Sequence, residues 1–135
     1  MFESVPRAVA GLVTVATVAL AAIVASPRHA LAQSGPSSAD SSSAAAIDAG
    51  RAIFHGPGNC LMCHGSNLEG TALAPTLQTH AWKDAKGGGY DAIVNVVMTG
   101  VPGTVMVSHP GGISDADVRK VAAYVWAVSH GKTKP

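Results

Sequence analysis

The residues best equipped for chemistry stand together as Cys60-Leu61-Met62-Cys63-His64. Two thiols three positions apart on one helical turn can each add to a vinyl group at a porphyrin edge, forming two thioether bonds. A histidine directly after the second thiol then lies under the iron, held there by the covalent geometry. C-x-x-C-H is the attachment pattern of haem c for this reason. Two other uses of the thiols compete with it. A redox-active dithiol also reads C-x-x-C, but it belongs to a βαβ context that this sequence lacks. A zinc site requires two further ligands at matching spacing, and only His55 is close. Cys60 and Cys63 are the whole cysteine content, so no wider disulfide framework is on offer. The expected cofactor is one covalent haem c, with Cys60 and Cys63 as thioether residues and His64 as an axial iron ligand.

These residues need elements to hold them. Upstream, Asp48 is the expected cap of a short helix running to about His55, ended by Gly56-Pro57-Gly58. Its Ile47, Gly50 and Phe54 fall on related faces. Downstream, Tyr90 to Thr99 carries Ile93, Val96 and Val97 at helical spacing, with Gly100 as the stop. The last helix opens at Ser114, answered by Asp117 in an S-x-x-D capping box. Val118, Val121, Ala122 and Val125 form its buried stripe. No alternating strand pattern competes, so the fold class is all-α. From Gly65 to Gly89 there is little periodicity, only Pro75 and the Gly87-Gly88-Gly89 run. So long a loop is out of place in a compact domain unless it wraps a large flat ligand. The charges at Lys83-Asp84-Ala85-Lys86 read as a solvated part of it, and His55, His80 and His130 as solvated surface residues.

The chain of 135 residues divides by composition. Residues 8 to 25 form an uncharged apolar run of 18, preceded by Arg7 and followed by Ser-Pro-Arg, with Ala30-Leu31-Ala32 closing the stretch as a signal-peptidase pattern. Residues 1–32 are therefore expected to be a signal peptide or, uncleaved, a membrane anchor. Either way the folded part is exported, and the expected location is periplasmic. Residues 33–46, rich in Ser, Ala and Gly, read as a flexible linker, 47–131 as the domain, and 132–135 as a tail. Beyond residue 32 there are seven Lys/Arg and seven Asp/Glu, a formal charge of zero. That excludes a nucleic-acid surface built on basic excess. No nucleophile–base signature, paired carboxylates or phosphate-cradling loop is present, so no catalytic residue is expected.

Four segments in order, AGRAIFHGPGNCLMCHG, APTL, TGVPGTVM and SDADVRKVAAYVW, are similar to those of class I monohaem c-type cytochromes. The resemblance spans roughly Asp48 to His130. It implies a small cytochrome c fold, three to four helices wrapped around one covalent haem, and an electron-carrying role. By position it makes Gly50 and Phe54 the first-helix partners of Val121 and Tyr124 on the last. Met106, in the segment Gly103-Thr104-Val105-Met106, resembles the family's glycine–methionine region and is the implied second axial ligand, although Val107 stands where proline is common. Met98, His109 or an open site remain alternatives, and Met62, inside the attachment loop, reads as packing. Pro75 of APTL resembles the proline whose carbonyl accepts the proximal imidazole N–H; an ordinary loop proline is the plainer account. Trp82 can donate its indole N–H to a haem propionate or simply be half-buried in the loop. Redox partner proteins are expected: a dehydrogenase, a quinol-oxidising complex or a terminal oxidase. Membrane contact is expected only if the N-terminal run is uncleaved. The two functions in view are a diffusible periplasmic electron carrier and a dedicated haem subunit of a dehydrogenase or oxidase complex.

Overall fold

Ser43 opens the first helix. Its Oγ accepts the Ala46 N–H at 3.2 Å, and α1 runs Ala44–His55. The computed structural model describes residues 43–135. The expectations for 1–32, and for the linker as far as residue 42, lie outside the described residues. Two expectations are corrected here. Asp48 is inside α1 rather than capping it, and residues 44–46 belong to the helix, not to a linker ending at 46. Alanine is the best helix former, and three in a row behind a capping serine extend the helix backwards.

The remaining helices are α2 (Leu61–His64), α3 (Tyr90–Thr99) and α4 (Asp115–Ser129). Short 3₁₀ turns occur at Lys86–Gly88 and Pro110–Gly112. Among the described residues there is no strand, as the sequence pattern predicts, and no helix long and apolar enough to cross a membrane. The predicted α3 stands as read, with Gly100 as its C-cap. At the start of α4, Ser114 Oγ accepts the Asp117 N–H at 3.2 Å and its hydroxyl donates to the Asp117 carboxylate at 2.8 Å. The predicted stripe Val118, Val121, Ala122 and Val125 is buried throughout.

Helix α4 is the spine against which α1 and α3 pack. The α1–α4 crossing centres on Gly50, where a Cβ would run into the Lys120 carbonyl and come within 2.9 Å of the Tyr124 Cβ. A missing side chain is what lets the two backbones approach. One turn on, the Phe54 and Tyr124 rings meet edge to face at 5.7 Å, both fully buried.

The segment between α2 and α3 is irregular, as expected, but it is tied down. Leu68, fully buried, accepts the Leu77 N–H at 2.7 Å and the Thr76 hydroxyl at 3.1 Å. Two surface expectations need correcting here. His80 is exposed as expected but does not stand alone, and His130 is half-buried: their rings stack at 4.7 Å, and His130 stacks in turn on Trp126 at 4.9 Å. His80 Nδ1–H donates to the Ser129 carbonyl at 3.2 Å, which docks the loop on the end of α4. Nor is 132–135 a free tail. The Arg51 guanidinium lies 4.8 Å over the Tyr124 ring and donates to the Lys134 carbonyl at 2.8 Å.

Candidate haem site

Helix α2 is a single turn, and it carries the attachment motif. The His64 N–H donates to the Cys60 carbonyl at 3.0 Å, and the Thr71 hydroxyl donates to the Cys63 carbonyl at 2.6 Å, closing the turn's C-terminal end. The two cysteines are not joined in a disulfide, so both sulfurs are available to a haem. Burial, with the Cys63 thiol adding to it, pushes the Cys60 thiol up to about 11, so this sulfur is held as a neutral thiol.

His64 is buried, and its Nδ1–H donates to the Pro75 carbonyl at 3.0 Å. That bond fixes the tautomer and leaves Nε2 as the lone-pair nitrogen. Removal from water holds the imidazole's pKa below its ordinary value, outweighing the opposite pull of the Pro75 carbonyl. The ring is thus a neutral base with one nitrogen available for a metal.

Beside α2 lies a cavity of about 390 Å³, within the range of small-molecule and cofactor sites. All six predicted site residues line it: Cys60, Cys63, His64, Pro75, Trp82 and Met106. They come from α2, from the 65–89 loop and from the segment between α3 and α4. Residues 100–106 are shaped by local bonds, with the Val101 N–H on the Met106 carbonyl at 2.8 Å and the Met106 N–H on the Thr104 hydroxyl at 3.1 Å. Gly111, left-handed at φ 68°, lets the following turn lie directly on the Pro57 carbonyl, beside the cysteines.

Of the competing ligands, Met98 is half-buried against the core and does not reach the wall. His109 is also absent from the wall; its Nε2 pairs with the Asp115 carboxylate at 2.8 Å. Met62 does line the cavity, but it is 63% exposed, so the expectation that it serves as packing is corrected. It sits on the same turn as His64. Of the two readings of Trp82, the structure supports the half-buried loop residue. Its indole N–H, the only donor it has, goes to the Thr76 carbonyl at 2.9 Å, so its ring forms wall while its N–H holds the loop together.

The donor set suits haem c. Two adjacent free thiols, a neutral imidazole with Nε2 available and a thioether open onto one chamber whose wall is largely apolar side chains. Sequence reasoning did not anticipate the aliphatic part of that wall, Val96, Val97, Val101, Val105 and Val107. Nor did it place Asp84 there, since the path of an aperiodic loop leaves no signal in the residues.

Comparison with known proteins agrees with this chemistry. A family model described as cytochrome c oxidase, cbb3-type, subunit III matches residues 45–125. No curated protein matches the chain. Among solved structures, cytochrome cL of Methylophaga aminisulfidivorans is similar at 22% identity and TM-score 0.55, over 63% of this chain and 56% of that one. A reducing HAO-like protein complex of Kuenenia stuttgartiensis gives 22% identity and TM-score 0.56, over 64% of this chain and 45% of that one. This chain thus spans about half the length of either. Cytochrome c6 of the diatom Phaeodactylum tricornutum gives 28% identity and TM-score 0.53, over 63% of this chain and 95% of that one. The chain belongs to the cytochrome c oxidase, cbb3-type, subunit III family: it has the small cytochrome c fold, and its cofactor is covalent haem c.

Proposed function

We propose that the protein is an exported, periplasmic one-electron carrier in which Cys60 and Cys63 bind the haem and His64 and Met106 are its axial ligands. One observation carries this reading: residues from three separate segments, each with a distinct part in holding a haem, converge on one cavity. When bound, haem c supplies a single iron that exchanges one electron between ferric and ferrous states. The chain's own contribution is to hold the ligand atoms still. Pro75 fixes the His64 ring by its Nδ1–H, and the Val101 and Thr104 bonds hold the Met106 backbone. A methionine thioether favours the reduced form relative to harder ligands and leaves no position for substrate. The largely aliphatic wall lowers the polarity around the site.

A second reading, a dedicated haem subunit of a larger redox complex, is favoured by a specific feature. Met62, Leu73, Val105 and Val107, 59–64% exposed, all lie along the cavity. An apolar rim in a chain of near-neutral charge suits a fixed partner better than electrostatic steering. The family description names a subunit, and one structural neighbour sits in a complex, which supports the same reading.

Fractionation of the native organism, followed by spectroscopy and co-purification, tests both. A soluble, partner-free form with a reversible one-electron couple is expected of the carrier. Recovery only in the membrane fraction with a stoichiometric partner would assign it to a complex. A haem that binds substrate in the wild type would overturn both.

A further inference from the structure

The cavity wall carries one ionised side chain, and it is negative. Asp84 lines it, whereas none of the lysines or arginines among the described residues does. The two ion pairs among those residues, His109–Asp115 and Lys120–Asp117, leave Asp84 out. Lys83 and Lys86 flank it in sequence without pairing to it. The Trp82 indole N–H, two residues back along the chain, is already given to the Thr76 carbonyl. The wall therefore offers the haem's own two carboxylates no cation, and adds a third negative charge to the chamber.

We infer that Asp84 tunes the reduction potential of the bound haem, holding it below the value that the aliphatic wall and a thioether ligand alone would give. The inference rests on the electron-carrier reading above. Reduction adds one electron to the iron centre, taken from a reduced protein partner and later passed to an oxidised one. No bond or proton at Asp84 changes. A carboxylate on the wall of the chamber that holds the haem stabilises the more positive ferric form, so it makes that electron harder to accept. An apolar wall transmits such a field better than water does, while the exposure of Asp84 makes the effect sensitive to salt. Asp84 touches no reacting atom and acts only through its charge.

The test is potentiometric titration of the purified holoprotein as wild type, Asp84→Asn and Asp84→Lys. Asp91→Asn serves as control, since Asp91 is an exposed acid on α3 away from the wall. Visible spectra identical to wild type report that haem attachment and ligation are intact. The expected result is a higher potential for Asp84→Asn and a higher one still for Asp84→Lys. The control should not move, and the differences should shrink as ionic strength rises. An unchanged or lower potential in Asp84→Asn at low salt overturns the inference, as does an equal shift in the control. A wild type without a reversible one-electron couple fails differently, since it removes the carrier reading itself.

Discussion

Whether the iron is a closed carrier centre or a reactive one turns on a single sulfur. Met106 and Met62 both line the cavity, but Met62 shares the one-turn helix that supplies His64, while Met106 arrives on a separate segment. Only the latter can approach from a direction independent of the imidazole. Met106→Ala is expected to abolish the weak thioether–iron charge-transfer band of the ferric protein, lower the potential and admit carbon monoxide. Met98→Ala, a half-buried residue away from the wall, should keep the band and cost about 2 kcal/mol of stability or less. Loss of the band in Met98→Ala alone would move the ligand to α3. The two thiols and the imidazole that meet at the cavity were legible from sequence because covalent attachment demands fixed types at fixed spacing. The partner of the Trp82 N–H was not, since a loop without periodicity does not reveal which carbonyl a side chain will meet. The Pro75 carbonyl came only by resemblance, being a backbone group that any residue would supply.

Helix α4 and its contacts decide how rigidly those residues are held. Propensity alone says that Gly50→Ala should stabilise α1 by up to about 1 kcal/mol. The structure reverses the sign, because the added Cβ meets the Lys120 backbone, which cannot move aside. Denaturant unfolding of the holoprotein should show a loss of about 1–3 kcal/mol, the usual range for overpacking. A stabilised Gly50→Ala protein would mean that the helices are further apart. At the α4 cap, Ser114→Ala should cost about 1 kcal/mol. That loss has a pH signature. Lys120, and then the Ser114 hydroxyl, hold the Asp117 carboxyl below its ordinary value of 3.8. Its folded-state pKa is therefore depressed, so the stabilisation is complete above 3.8 and disappears as pH falls below it. Unfolding curves at pH 7 and pH 3 should show the Lys120→Met deficit shrinking on acidification; a constant deficit would make this pair irrelevant to stability. The sequence revealed α3 and α4 because apolar period and caps agree there. It misplaced the start of α1, where alanines are helical without any apolar stripe to announce it. The His80–His130 stack and the Arg51 clasp on the tail join residues far apart in sequence, which local patterns do not report.

At the scale of the whole molecule, fold and cofactor are one problem. The helices meet along α4, but the chamber among the helices and loops is about 390 Å³, and more than half its wall comes from segments with no regular structure. At about 24 cal/mol per Å³, an unfilled void of that size costs roughly 9 kcal/mol. Water entering at the mouth makes this an upper bound. Even so, it is comparable to the entire stability of a small domain, about 5–15 kcal/mol. The long loop between α2 and α3 was read from sequence as wrapping a flat ligand, and its buried anchor Leu68 and its place in the wall agree with that. The chain without haem is then expected to be largely disordered. Acid–acetone extraction of the wild type should leave one haem per chain, detected by mass spectrometry, because thioether bonds survive that treatment. The Cys60→Ala/Cys63→Ala double variant should carry none, and its far-ultraviolet circular dichroism should show most of the helix signal lost and no cooperative melt. A haem removed by extraction would overturn the covalent assignment. A double variant that melts cooperatively with full helix content would show that α1, α3 and α4 close on one another unaided, and that the haem is a passenger in a core already made.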